Sequence, residues 1–185
     1  TFLIEFIGAI LIYVNLNSRL IPSVLDRMYF SVFHSVSSFC NAGFSTLPNS
    51  LYEEGYRYNY PLHLVVLMLF VLGGLGFPIV FNLLKFIKYF INNRVLNIQK
   101  SKTKYIPWVL NLDSRLTLIT TLVLTVVGAI IFFILEFNNT LAEHSSFGKI
   151  VTALFGAATP RTAGFNSINT GNLSFVTLVF MLFLM

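Results

Sequence analysis

Long apolar runs separated by short polar ones organise this chain. Spanning a hydrocarbon layer of ~30 Å takes about 20 helical residues. "RLTLITTLVLTVVGAIIFFILEF" (115–137) meets that length without interruption. "YPLHLVVLMLFVLGGLGFPIVFNLLKFIKYFI" (60–91) also meets it, but Gly73, Gly74, Gly76 and Pro78 interrupt its middle, and Pro78 predicts a kink. "FLIEFIGAILIYV" (2–14) and "SFVTLVFMLFLM" (174–185) read as parts of two further spanning helices, cut by the ends of the chain. Two other apolar pieces, 28–39 and 147–159, are about half a membrane long at 1.5 Å per residue. Each runs directly into small residues: "CNAGFS" (40–45) and "TPRTAGFNS" (159–167). Half-length helices ending in glycine-containing backbone are the mark of re-entrant loops, which persist at membrane depth only where protein or water satisfies their polar groups.

Composition agrees. Of 185 residues, 56% are hydrophobic and 10% charged, with 20 Phe and a mean hydropathy of +0.78. Soluble domains carry about 25% charge, so the expected class is an all-α membrane protein. The chain has neither an initial Met nor a signal-peptide layout, and it reads as part of a longer protein. The single Cys40 excludes an intrachain disulfide and a cysteine zinc cluster. The net charge of +5 is not a nucleic-acid footprint. Seven of the twelve basic residues lie between Lys85 and Arg115 beside one acid, Asp113, which marks that connection as cytoplasmic. Both re-entrant segments then enter from, and return to, the outer side.

The chain repeats itself. "GAILIY" (8–13) and "GAIIFF" (128–133) are 120 positions apart, and "NAGFS" (41–45) and "TAGFN" (162–166) are 121 apart. Two units follow one plan: transmembrane helix, re-entrant pore half-helix, filter loop, transmembrane helix. A half-helix that aims its C-terminus at the membrane centre favours a cation there, and carbonyls of the loop behind it can replace an ion's hydration shell. Gly43 and Gly164 are read as filter positions in preference to simple tight turns. Ala42 and Ala163 are small enough for neighbouring loops to approach, and Phe44 and Phe165 are expected to pack behind the loops as anchors.

"FCNAGFS", "GGLGFP" and "PRTAGF" together resemble the Trk/Ktr/HKT superfamily of potassium transporters, along essentially the whole chain. In that family four such units surround one pore. The resemblance makes 1–91 the second pore repeat, truncated at its N-terminus, 92–112 a cytoplasmic basic linker, and 113–185 the third repeat, truncated at its C-terminus. It maps backbone ion-binding positions onto Asn41, Ala42, Gly43 and Phe44, and onto Thr162, Ala163, Gly164 and Phe165. It implies K⁺ as the transported ion, with Na⁺ as a candidate second ion, and no covalently bound cofactor. It further implies a multi-pass protein of the bacterial inner (plasma) membrane, surrounded by lipid, homodimeric, and seated on a cytosolic nucleotide-binding (RCK/KTN-type) regulatory subunit. The family's gate lies in a stretch beyond Met185.

Glu5, Asn82 and Arg161 are candidate supports of the pore or filter. Ionisable groups within a membrane are functional candidates by default. Glu5 is read as holding a pore helix through its backbone N–H groups, and Glu136 as lying at the outer interface. Arg161 either bonds carbonyls behind the filter or sits in a wet outer vestibule; Asn82 either lines the inner pore or caps the kink. His34, His63 and His144 are too scattered for a metal site and are assigned to interface or packing roles. Two rival functions remain: a carrier with re-entrant hairpins for a small anionic solute, and an intramembrane enzyme using Ser45 with His34.

Overall fold

The computed structural model describes residues 2–17, 20–76, 78–85, 88 and 112–185. Every regular element among them is helical: α1 (Phe2–Asn15), α2 (Val24–Phe39), α3 (Tyr60–Leu75), α4 (Pro78–Lys85), α5 (Leu112–Glu136), α6 (Ser146–Ala158) and α7 (Phe175–Leu184), with short 3₁₀ turns at Ser50–Tyr52, Thr159–Arg161 and Thr170–Asn172. The expected basic linker at 92–112 lies, except for Leu112, outside the described residues.

The helices belong to two compact units, Thr1–Gly74 with Val123–Met185, and Leu75–Leu122. In the larger unit an apolar core also takes in polar side chains, and the outer face is apolar as well. Ser35, Ser38, His34, Thr152 and Thr177 are fully buried, while Phe2, Phe6 and Val14 of α1 and Ile130 and Ile134 of α5 face outward. Such a surface suits hydrocarbon, and α5, at 25 residues, is long and apolar enough to cross a membrane. In the smaller unit, α4 opens on Pro78 just after Gly76, whose φ is +81°. The chain is therefore broken there, not merely kinked at Pro78. Proline is well tolerated in a first helical turn, where its missing N–H costs nothing. Asn82 Nδ2 donates to Ser114 Oγ at 3.4 Å in this unit.

One order of elements occurs twice in the larger unit: α1, α2, an irregular loop, α3; then α5, α6, an irregular loop, α7. Helix α2 begins four residues before the expected Met28, because Ser23 caps it, accepting from Asp26 N–H. Ser145 caps α6 in the same way from Gly148 N–H. The end of the first helix is tied to the start of the last in both halves. Asn59 Nδ2 donates to Asn15 O (2.7 Å), and Asn59 Oδ1 accepts from Leu62 N–H (3.3 Å). In the second half Glu136 makes the link. It is 0% exposed. One oxygen accepts from Ser174 N–H (3.0 Å) and Thr177 Oγ1 (2.6 Å) at the N-terminus of α7. The other accepts from Asn139 Nδ2 and Thr140 Oγ1, both at 2.9 Å. A carboxylate is stable there because buried donors surround it and the start of a helix favours negative charge.

Replacing Glu136 by Ala strands several of these donors, and each stranded donor costs about 1–3 kcal/mol. The detergent-solubilised full-length protein carrying Glu136→Ala is expected to unfold at a markedly lower temperature than wild type. Glu136→Gln, which still accepts at one oxygen, is expected to fall between. A melting curve of each variant checks this.

Candidate functional site

The two loops sort their backbone groups by polarity. Beyond α2, Cys40 N–H donates to Val36 O (2.9 Å), Asn41 N–H to Ser38 O (3.1 Å) and Ala42 N–H to Ser37 O (2.9 Å). Beyond α6 and its 3₁₀ turn, the N–H groups of Thr162, Ala163 and Gly164 all point to Thr159 O, at 3.3, 3.2 and 3.1 Å. The amide hydrogens thus turn back onto the helix ends, capping carbonyls that would otherwise be orphaned. Among the described residues no hydrogen bond ends on the carbonyl oxygens of Asn41, Ala42, Gly43, Thr162, Ala163 or Gly164. Gly43 and Gly164 adopt φ of +71° and +74°, a region costly for any residue with a Cβ. Each loop is then latched by a hydroxyl of its own helix: Ser37 Oγ donates to Phe44 O (2.7 Å) and Thr159 Oγ1 to Phe165 O (2.8 Å).

The loops meet. A Cβ on Gly43 would collide with the carbonyl oxygen of Ala163, and Gly164 C would lie 3.6 Å from it. Helix α3 backs both loops through its paired glycines: a Cβ on Gly73 would overlap Phe39 O, and one on Gly74 would lie 2.9 Å from Thr162 Cγ2. All eight expected filter residues therefore lie in two adjoining loops.

The anchors behave differently from each other. Phe165 is 0% exposed, packed with Phe30, Val66, Phe70 and Phe155, its ring 6.4 Å from that of His34. Phe44, expected to pack in the same way, is 70% exposed. The whole face shares this contrast. Phe33 and Val36 of α2 are exposed, whereas at the corresponding places on α6 Leu154 is half-buried and Ala157 buried. The second loop packs its aromatic ring among residues of α2 and α3; the first loop touches the second at Gly43 and α3 at Asn41, but among the described residues nothing covers Phe44.

The candidate supports fall in three places. Glu5 contributes its backbone carbonyl, which accepts from Ser35 Oγ at 2.6 Å, in place of the expected carboxylate link. Arg161, half-buried, donates from Nη1 to Thr125 Oγ1 at 3.2 Å. Asn82 belongs to the smaller unit. His34 and Ser45 do come together, with Nε2 3.0 Å from Oγ. His34 Nδ1 faces Phe30 O (2.9 Å), which can only accept, so Nδ1 carries the proton and neutral Nε2 accepts from the serine. The ring is fully buried against Phe30, and Ser45 Oγ also accepts from Leu47 N–H, so the pair braces the loop. Sequence reasoning overlooked Ser37 and Thr159; the available signal was a hydroxyl six or seven positions before Phe in both loops.

On the flanking loops Arg57 pairs with Glu143 and stacks over Tyr52, while His144 Nδ1 meets Tyr60 OH at 3.2 Å. Burial, then the positive charges of Arg57 and Lys149, hold the His144 imidazole below its usual pKa.

The family model described as TrkH, cation transport protein, matches residues 1–185, and the chain belongs to that family. The resemblance read from the two A-G-F loops and the G-G-L-G-F-P stretch is thereby shown. The family is one of transporters, not of enzymes. Among curated relatives, the Ktr system potassium uptake protein B of Bacillus subtilis is 36% identical over 98% of this chain and 36% of its own length. The potassium/sodium uptake protein NtpJ of Enterococcus hirae is 36% identical over 85% of this chain and 31% of its own. The Ktr system potassium uptake protein B of Vibrio alginolyticus is 30% identical over 94% of this chain and 35% of its own. The chain spans about a third of the length of these relatives.

Two expectations follow. Phe165→Ala empties a packed aromatic site and is expected to cost about 3–5 kcal/mol, whereas Phe44→Ala changes little within this chain; thermal unfolding of the two variants separates them. The lowered His144 pKa means the unfolded chain binds its proton first as pH falls. The contribution of His144 to stability is therefore complete above the unfolded value of about 6.5 and declines below it. Acidification from pH 7.5 to 5.5 is expected to lower the melting temperature less in His144→Gln than in wild type.

Proposed function

We propose that this chain supplies two pore repeats of a potassium uptake protein, each a transmembrane helix, a re-entrant half-helix, a filter loop and a second transmembrane helix. The loops of residues 41–44 and 162–165 furnish two strands of a selectivity filter made of backbone carbonyls. The observation that carries this reading is the sorting of the loops: the amide hydrogens of residues 40–42 and 162–164 are spent on the helix ends, the oxygens of residues 41–43 and 162–164 accept no hydrogen bond among the described residues, and the two strands abut at Gly43 and Ala163. Oxygen ligands without net charge suit a weakly hydrated monovalent cation, whose water they replace. Transport then consists of exchanging water for peptide oxygens under an electrochemical gradient, with no bond made or broken.

The names of the relatives support K⁺ as the ion, and one of them names sodium as well. The exposed face formed by Phe33, Val36 and Phe44 fits a preceding repeat that packs as α6 packs on α2 and α3. The word "system" in two of the relatives' names fits a separate subunit, which we assign to a cytosolic nucleotide-binding regulator beneath a homodimeric pore in the bacterial plasma membrane. A carrier for an anionic solute is disfavoured because both loops follow helix C-termini, and anions are held at N-termini.

The test is ⁸⁶Rb⁺ uptake by the full-length protein in cells lacking other potassium uptake, with unlabelled K⁺ or Na⁺ as competitor. Wild type is expected to take up Rb⁺ and to favour K⁺. Gly43→Ser and Gly164→Ser are each expected to reduce the K⁺ over Na⁺ preference about tenfold, roughly 1.4 kcal/mol. Unchanged preference in both variants overturns the filter assignment.

A further inference from the structure

The side chain of Asn41 occupies a place that nothing said so far accounts for. In an uninterrupted helix, Gly74 N–H would bond directly to Phe70 O, four residues earlier. The carboxamide of Asn41 stands at this pair. Oriented by its neighbours, its Nδ2 donates to Phe70 O at 2.9 Å and its Oδ1 accepts from Gly74 N–H at 2.9 Å. We propose that Asn41 is a positioning residue of the filter: its carboxamide splices into the hydrogen-bond ladder of α3 and sets where the loop of residues 40–45 sits against the loop of residues 162–166. This inference rests on the pore reading above.

Three features support the splice. A carboxamide carries, on two adjacent atoms in one plane, the donor and acceptor needed to mate with both ends of a peptide hydrogen bond, and asparagine is short enough to do so from a residue touching the helix. Asn41 itself has φ of +53°, a left-handed conformation that asparagine tolerates better than most side chains. The helix is bare at this point, since side chains on Gly73 and Gly74 would strike Phe39 O and Thr162 respectively. The loop is thereby held at two points, Asn41 on α3 and Phe44 O on Ser37 Oγ, with Gly43 suspended between them. The corresponding residue of the other loop is Thr162, which offers Gly74 a methyl group in van der Waals range and carries no amide.

Asn41→Asp tests the splice with a side chain of the same size. It keeps an acceptor for Gly74 N–H but sets a carboxylate oxygen against Phe70 O. Asn41→Ser is too short to reach both groups. In the full-length transporter, competition of K⁺ and Na⁺ with ⁸⁶Rb⁺ gives the ratio of the two apparent KM values, and immunoblotting of membranes gives the amount of protein. Both variants are expected to lose about tenfold in that ratio while still accumulating in the membrane. Glu136→Gln serves as the structural control, expected to lower the amount of protein and leave the ratio alone. If wild type fails to take up Rb⁺ or to prefer K⁺, the pore reading falls and this inference with it. If wild type is selective and either accumulating variant keeps the wild-type ratio, the role of Asn41 alone is overturned. It is also overturned if neither variant accumulates, since Asn41 is then needed for folding and not for tuning the filter.

Discussion

Peptide groups held away from water must find partners, and that constraint shapes the two loops. A helix end has spare carbonyls, and the residues that follow have spare amide hydrogens. Here each need is met by the other: Val36, Ser37 and Ser38 receive the hydrogens of residues 40–42, and Thr159 alone receives those of residues 162–164. Once the hydrogens are committed in one direction, the oxygens have to face another. Positive φ at Gly43 and Gly164 follows from that turn of the chain, and so do the hydroxyl latches of Ser37 and Thr159, which satisfy the first oxygen beyond each glycine. Glycines on α3 then bring a third backbone close enough to support both loops.

The same motif has two environments in this chain. Phe165 and its helix face are buried because α2 and α3 lie beside them, while Phe44 and its face lack the equivalent cover. A contact that joins one side of a unit to the opposite side of the next is heterologous, and a run of such units leaves an unmatched face at each end until it closes. The exposed aromatic of the first loop is thus the counterpart of the buried aromatic of the second. An apolar exterior extends the same logic to the helices: serines, threonines and His34 turn inward, where partners can be found, beside an aromatic core, while Phe2, Phe6 and Ile134 face outward.

Much of this was legible in the residues. Apolar run lengths located the helices, and two short runs ending in A-G-F located the loops, because helix length and glycine conformation are local properties. Three things were not legible. The burial of Glu136 depends on donors more than 30 positions along the chain at Ser174 and Thr177, which no local pattern announces. The exposure of Phe44 depends on which neighbour each loop has, and identical motifs are silent about that. The interruption at Gly76 and Pro78 was legible, but not that α3 would end there: glycine with positive φ stops a helix, whereas proline at the start of the next costs little.

The electrostatics of the loops differ from the simplest reading of a helix aimed at an ion. A bare helix C-terminus presents about half a negative charge on its free carbonyls. In this structure the last carbonyls of α2, and Thr159 at the end of α6, are covered by loop amides. The peptide dipoles do not stop there but continue through the loop, so the negative pole is moved onto the oxygens of residues 41–43 and 162–164. A pole placed on neutral oxygens is weaker than a carboxylate, and neither loop contains one. On the proposed reading, in which these oxygens face a transported ion, that weakness is an advantage. Conduction needs a site strong enough to replace hydration and weak enough to release the ion, and a formal negative charge at the same place would favour retention over release.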